Sequence, residues 1–452
     1  MNTPTSDPPL FHSRRWPEIV VFVVVFLACG VWWHSRDWNT ASRLMLTYAL
    51  VDRGTVRIDG LENQTGDRAW FKGHSYSDKF PGWSLLAVPW AWVVKRLGNF
   101  PDHPLNVEGL AYWPTDYWTT WGVSGGATAW TAALVAAYVR RLGGSGRAAL
   151  LAGFAYGLAT PAWVYGSLAY GHQVTAWCGF LGWMILTASR VERAGAVVAG
   201  LAAAWASVVE LQAAPISAIL GLLALRRLRG GRWALFVVGA AIPTAILAWY
   251  NVICFGSPLE AGYFHHATPQ FAAVHNPVNP LGLAGLDPVV ARELVVGSRR
   301  GLIWFAPIVI LAPPGLLLLG LGRKRWLEAG TAAAIVLAVY FVNVAYPEWT
   351  GGWSTGPRLL TPALPFLVAL AAACWAGGGR VVQAVAWLLA VVGFAQMVLF
   401  QAVGGRIPHP IERPLTQAVL PLWKGDPLPA WKTDGRFARF AWWHPDRSDR
   451  SE

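Results

Sequence analysis

Apolar runs of helix-spanning length alternate along the chain with short basic turns and longer polar stretches, and this alternation sets the expected architecture. Against the roughly 20 residues a helix needs to cross a bilayer, eleven spans are expected, at 17–34, 119–139, 147–164, 171–189, 194–209, 212–227, 232–252, 301–321, 326–346, 359–377 and 381–403. The run 194–227 divides into two short helices at Glu210–Pro215. Pro81–Lys95 is apolar but short, and is read as a tilted or re-entrant helix against the outer leaflet. Within 39–53, Leu44, Met45, Tyr48, Ala49 and Val51 share a helical face, which predicts an amphipathic helix lying in the membrane interface. Gly60, Gly66, Gly73 and Gly82 then cut the chain into turns. The fold class expected is an all-α polytopic membrane protein, a bundle of about eleven transmembrane helices with interfacial helices in its outer loops. The bundle domain covers 1–403, with outer loops at 35–118 and 253–300, and an extracytoplasmic tail covers 404–452.

Composition sharpens this. The chain of 452 residues is 55% hydrophobic and 13% charged, with mean hydropathy +0.39, whereas a soluble domain carries about 25% charged residues. Its 28 tryptophans fit two uses, a belt at the membrane–water interface and stacking on sugar rings. A net charge of +12 raises nucleic acid as a partner, but the distribution of the charge argues against it. Basic residues gather in turns between spans: Arg14-Arg15, Arg140-Arg141 with Arg147, Arg190 with Arg193, Arg226-Arg227 with Arg229 and Arg232, and Arg323-Lys324-Arg325. The positive-inside rule makes these turns cytoplasmic. They share one side when 81–95 is not a full crossing, which puts the N-terminus inside and 35–118, 253–300, 347–358 and 404–452 outside. The first span lacks a small-residue cleavage site and is read as a signal anchor in the inner or plasma membrane.

Four cysteines, Cys29, Cys178, Cys254 and Cys374, show no metal-type spacing. His265-His266 with His275 invites a metal, yet the spacing fits no standard zinc pattern, so no metal ligand is assigned. A cytoplasmic nucleotide-sugar site has no P-loop or GxGxxG to support it.

Four motifs carry a resemblance. "GHSYSDKFPGWSLLAVP" is similar to the stretch of GT-C superfamily glycosyltransferases, among them lipid A aminoarabinose transferases and protein mannosyltransferases, in which Tyr, an acid, Lys and Pro follow an amphipathic helix. Asp37, Asn39 and Arg43 resemble that family's acidic pair and following arginine in the first outer loop, with Asn39 replacing the second acid. "YNVICFGSPLEAGY" and "YPEWTGGWSTGPRLLTPALPF" resemble a bacterial branch of the same superfamily. The resemblance implies an inverting transfer, on the outer face, of a sugar from a polyprenyl-phosphate donor to a lipid, glycan or protein acceptor. Such a reaction needs a general base for the acceptor hydroxyl and cations or a metal for the departing phosphate. A divalent cation is left open.

Asp37, just past the first span, is the expected base, and Asp59 is the alternative among the acids Asp59, Asp67 and Asp78 of that loop. Lys79 is the expected phosphate ligand, set against a lysine snorkelling to lipid headgroups. Asp78 is expected to orient Lys79, bind sugar or cap the helix after Pro81. Arg358, after a Gly-rich turn, is either a phosphate fork or a helix-end anchor. Glu348 and Trp353 flank that turn as sugar contacts or interfacial side chains. His172 at a helix start and Glu210 at a helix break complete the candidates, because an acid in an apolar segment is costly unless it has a function. Glu210 also keeps open a rival class, a transporter or flippase for polyprenyl lipids or small molecules.

Overall fold

A computed structural model describes residues 15–101, 103–107, 110–424 and 438–440. Helices dominate, and their apolar faces merge into one continuous core running from Val21 to Leu422. Among the described residues five helices are long and apolar enough to cross a membrane: Pro114–Arg141, Gly231–Phe255, Trp326–Val344, Arg358–Trp375 and Arg380–Val403. The chain is read as an integral membrane protein on that basis. Arg358–Trp375 is the central one, 83% buried, whereas Gly231–Phe255 and Arg380–Val403 are 28% and 22% buried and present apolar side chains outward.

The other six expected spans are shorter or broken. The first, α1 (Trp16–Cys29), stops early, and Trp32–His34 leaves the helix as strand β1. Segment 147–164 yields a helix over Gly146–Leu158 and a separate turn after Pro161. Segment 301–321 is divided around Pro307 into 3-10, α and π turns. The helices His172–Leu186, Arg193–Val209 and Ala214–Arg227 are each below spanning length, with the last two separated at Glu210 as expected.

Helix α2 (Trp38–Arg53) corrects the interfacial reading. Asp37 caps it: its carboxylate accepts from Thr40 N at 2.6 Å while the Thr40 hydroxyl accepts from Asp37 N, the reciprocal capping box. Every residue from Thr40 to Ala49 is buried, so α2 lies inside the protein and not on a bilayer surface. Its polar positions face polar partners: Ser42 and Arg43 reach the site described below, and Thr47 bonds backward to Arg43 O. Helix α3 (Gly82–Gly98) packs along it, burying Trp83, Ala87, Ala91 and Val94 and exposing Trp90 and Trp92.

A hairpin of β2 (Arg68–Phe71) and β3 (His74–Ser77) lies between these helices. Its two-residue turn, Lys72-Gly73, has both residues at positive φ, the twist-matched geometry that glycine permits. Register follows from the turn, and Arg68 pairs with Ser77. Asp67 and Asp78 therefore emerge side by side at the open end.

At one end of the bundle arginines close the turns on backbone carbonyls. Arg141 binds Met184 O, Arg227 binds Leu186 O and Arg323 binds Leu142 O, and Glu328 joins Arg141 and Arg325. The four segments expected on the opposite side do meet one another. Ser354 N donates to Ile407 O, Ala267 N to Arg68 O, and Arg406 pairs with Asp37. Residues 404–408 are buried in this assembly. The charged-aromatic stretch 431–445 of the expected tail lies almost wholly outside the described residues.

Candidate active site

Three connected polar clusters line this end. The first is built on the start of α2. Asp37 Oδ2 accepts from the Tyr170 hydroxyl at 2.7 Å and pairs with Arg406 Nη1 at 3.0 Å. Arg406 comes from Gly404-Gly405-Arg406 after the last long helix, and its Nη2 donates to Ser35 Oγ. Burial pushes the Asp37 carboxyl up, but Arg406, the Thr40 N–H and the Tyr170 hydroxyl outweigh it and hold it down, to about 2. The sign is then fixed. A depressed folded pKa contributes stability that is whole above the ordinary carboxylate value and lost as pH falls towards 2. The Tm advantage of wild type over Asp37→Asn is thus expected to stay flat from pH 8 to 5 and to shrink below pH 4, read by thermal unfolding in detergent.

The second cluster forms at the helix break. Glu210 accepts from His172 at 2.8 Å and pairs with Arg43 Nη2 at 3.6 Å. Arg43 is also bonded to Asn39 Oδ1 one turn back, so the residue standing where relatives carry an acid serves here to hold a guanidinium. Gly171 allows this approach, since a Cβ there would lie 2.8 Å from Glu210 Cγ. Tyr170 links the two clusters. Its ring lies between His172, edge-on at 5.7 Å, and Arg358, whose guanidinium carbon is 5.1 Å from the ring centre.

Arg358 differs from the other cations. No carboxylate lies within 4 Å of it among the described residues, and its buried Nε finds no acceptor. Arg43 Nε and Arg406 Nε are also buried and without acceptors. The Gly351–Gly356 turn that presents Arg358 is held from behind by Arg300, which is fully buried and donates to the carbonyls of Thr350, Gly352 and Ile407. One guanidinium thereby fixes both loops that supply the site's arginines, Arg358 and Arg406.

The third cluster is the open end of the hairpin. Lys79 Nζ lies 2.7 Å from Asp78 and 2.8 Å from Asp67. Ser42 donates to Asp78 at 3.0 Å, and His266 Nε2 is 3.6 Å from it. Burial pushes the Lys79 ammonium down, but Asp67 and Asp78 outweigh it and raise it. Asp67, Asp78 and His266 offer ligand atoms within 4.8 Å of one another. They could hold a divalent cation only with the ammonium displaced, because Lys79 already bridges both carboxylates. Lys79→Met leaves Asp78, 1% exposed, facing a second carboxylate with no cation between. Removing one partner of a buried pair costs about 3–5 kcal/mol, so a clear fall in Tm is expected.

The remaining expected residues lie elsewhere. Asp59 is half-exposed and accepts from His74 Nδ1 and Ser75 N, pinning the hairpin to the turn before it. Glu348 is exposed, and Trp353 is partly buried in the turn before Arg358. The histidine pair separates: His265 goes to Glu260, and His275 stacks on Tyr263 and meets Tyr346. Sequence reasoning misses Tyr170 and Arg406, although Tyr170 stands two residues before the candidate His172 and Arg406 follows a Gly-Gly pair much as Arg358 follows a Gly-rich turn.

The fold of the chain is similar to that of a solved structure. The crystal structure of ArnT from Cupriavidus metallidurans bound to undecaprenyl phosphate aligns with TM-score 0.55 and 16% identity, covering 86% of this chain and 64% of that one. The chain has the GT-C fold. Archaeal oligosaccharyltransferase AglB from Archaeoglobus fulgidus, in complex with an inhibitory peptide and a dolichol-phosphate, aligns at TM-score 0.45 and 11% identity, covering 84% of this chain and 56% of that one. The chain thus spans less than two thirds of the length of these GT-C proteins. No protein-family model and no curated protein matches it.

Proposed function

We propose that the protein is a membrane glycosyltransferase that moves a sugar from a polyprenyl-phosphate donor to a hydroxyl of a glycan, lipid or protein, with inversion. The observation that carries this reading is the set of buried guanidinium N–H groups without acceptors, on Arg43, Arg358 and Arg406, around Tyr170 and Asp37. Buried donors left unmet are costly, and an anionic ligand such as a phosphate ester meets several at once. Arg358, with no carboxylate partner, is the principal phosphate ligand. Lys79 is committed to Asp67 and Asp78, and shapes the site through them.

The reaction follows from these placements. The acceptor oxygen attacks the anomeric carbon opposite the phosphate, and its proton passes to Asp37. The bond from the anomeric carbon to the phosphate oxygen breaks, and the polyprenyl phosphate leaves with the electron pair, its charge met by Arg358 with Arg43 behind. A carboxylate with so low a pKa takes the proton late, once the forming bond has made the hydroxyl acidic. The arginine-closed turns at the other end support a cytoplasmic N-terminus and an extracytoplasmic site, and ArnT, solved with undecaprenyl phosphate, supports the donor class. The test is a proteoliposome assay with radiolabelled polyprenyl-phosphate sugars and envelope glycans: label is expected to leave the lipid for an acceptor. Intact donor across the series would refute the reading.

A further inference from the structure

A second opening lies beside the start of α2, and neither Asp37 nor the proposed phosphate ligands Arg43 and Arg358 line it. Successive residues on a helix are about 100° apart. Thr40 and Leu44 therefore share one face and line this cleft, while Ser42, on the opposite face, turns towards Asp78. The cleft runs up to the Asp37–Tyr170 pair from behind, since its walls include Ser35 and Arg36 on one side of Asp37 and Ala169 beside Tyr170.

Its walls have a definite chemistry. The rings of Trp33, Tyr117 and Trp121 line it. The Tyr117 hydroxyl is bound to Gly30 O and the Trp121 N–H to Phe26 O, so these rings contribute apolar surface. Among the described residues on its walls, Arg36 is the one Lys or Arg and Asp116 the one acid. They cancel: Arg36 Nε and Nη2 donate to the two Asp116 oxygens at 2.5 and 3.0 Å, and Tyr48 donates to Asp116 as well. The cavity measures about 30 Å³, room for about two waters. That admits a hydroxyl and its carbon, with the rest of the ligand lying towards the opening.

We propose that this cleft is the acceptor subsite and that it takes the hydroxyl-bearing end of an uncharged carbohydrate. This rests on the function proposed above. Inversion requires the nucleophile to arrive opposite the phosphate, and the cleft shares no wall with the proposed phosphate ligands Arg358 and Arg43. Aromatic walls suit the apolar C–H face of a sugar ring, and paired hydroxyl-binding groups suit its rim. An anionic acceptor would find no unpaired cation there, because the Arg36 charge is already met by Asp116.

The test uses the full chain in proteoliposomes with a cleavable polyprenyl-phosphate sugar. Donor cleavage is followed separately from transfer to a neutral disaccharide and to the same disaccharide carrying a phosphate. Wild type is expected to prefer the neutral acceptor at least tenfold in kcat/KM. Asp116→Asn, which frees the Arg36 charge, is expected to narrow or reverse that preference with donor cleavage in water unchanged, and Asp116→Asn with Arg36→Gln to restore it. Because these variants can disturb folding, a neutral disaccharide bearing a diazirine is photolysed with wild-type protein, and its adducts are expected within 32–44 or 113–121. Adducts elsewhere, or a wild-type preference for the phosphorylated acceptor, overturn the subsite while leaving the glycosyltransferase reading intact. Absence of any donor cleavage overturns both.

Discussion

Asp37→Asn is expected to lower the transfer rate by about 10²–10⁴-fold, the usual contribution of a positioned general base. The substitution is unusually clean in one respect. Asn caps a helix about as well as Asp, so the start of α2, held now by Asp37 and Thr40, keeps its geometry. It is costly in another, since Arg406, 2% exposed, loses its carboxylate. A second variant separates the two effects: Asp37→Asn with Arg406→Met removes the stranded charge, and is expected to recover thermal stability without recovering transfer. Full activity in the single variant would move the proton acceptor to another acid.

Arg358→Ala is the second large effect. Removing a buried site arginine that has no carboxylate partner among the described residues is expected to lower kcat/KM for the donor by about 10²–10³-fold, comparable to losing a preorganised donor to a developing anion. Arg358→Lys should recover only part of this, because an ammonium cannot reproduce a planar fork over the Tyr170 ring. Titration with undecaprenyl phosphate, followed by native mass spectrometry, is expected to show the same ranking in affinity. Equal binding by wild type and Arg358→Ala would reduce Arg358 to a helix-end anchor.

Much of this end was legible in the chain, and the failures have physical reasons. The bounds of α2 and the break at Glu210 follow from apolar periodicity and from an acid before Pro215. Burial of α2 did not, because a polar helical face looks the same whether it meets water or the partners of Ser42 and Arg43. Lys79 is expected to bind phosphate with Asp78 orienting it, and the Asp78 contact is present. Asp67 holds it as well, brought beside Asp78 by the hairpin register that the Lys72-Gly73 turn sets. Arg406 sits far along the chain from Asp37, and no local pattern announces a pairing across that distance. The expected spans at 147–164 and 301–321 overlooked Pro161 and Pro307, which end helical runs by removing a donor and crowding the preceding turn.

The most direct measurement is a cryo-EM map of the full chain with undecaprenyl phosphate in lipid nanodiscs. Phosphate density is expected within hydrogen-bond distance of Arg358, on the Tyr170 side of α2, with the lipid tail leading into the bilayer. Phosphate density seated at Arg36, or anywhere out of reach of Arg358, would contradict a donor site at this end of the bundle.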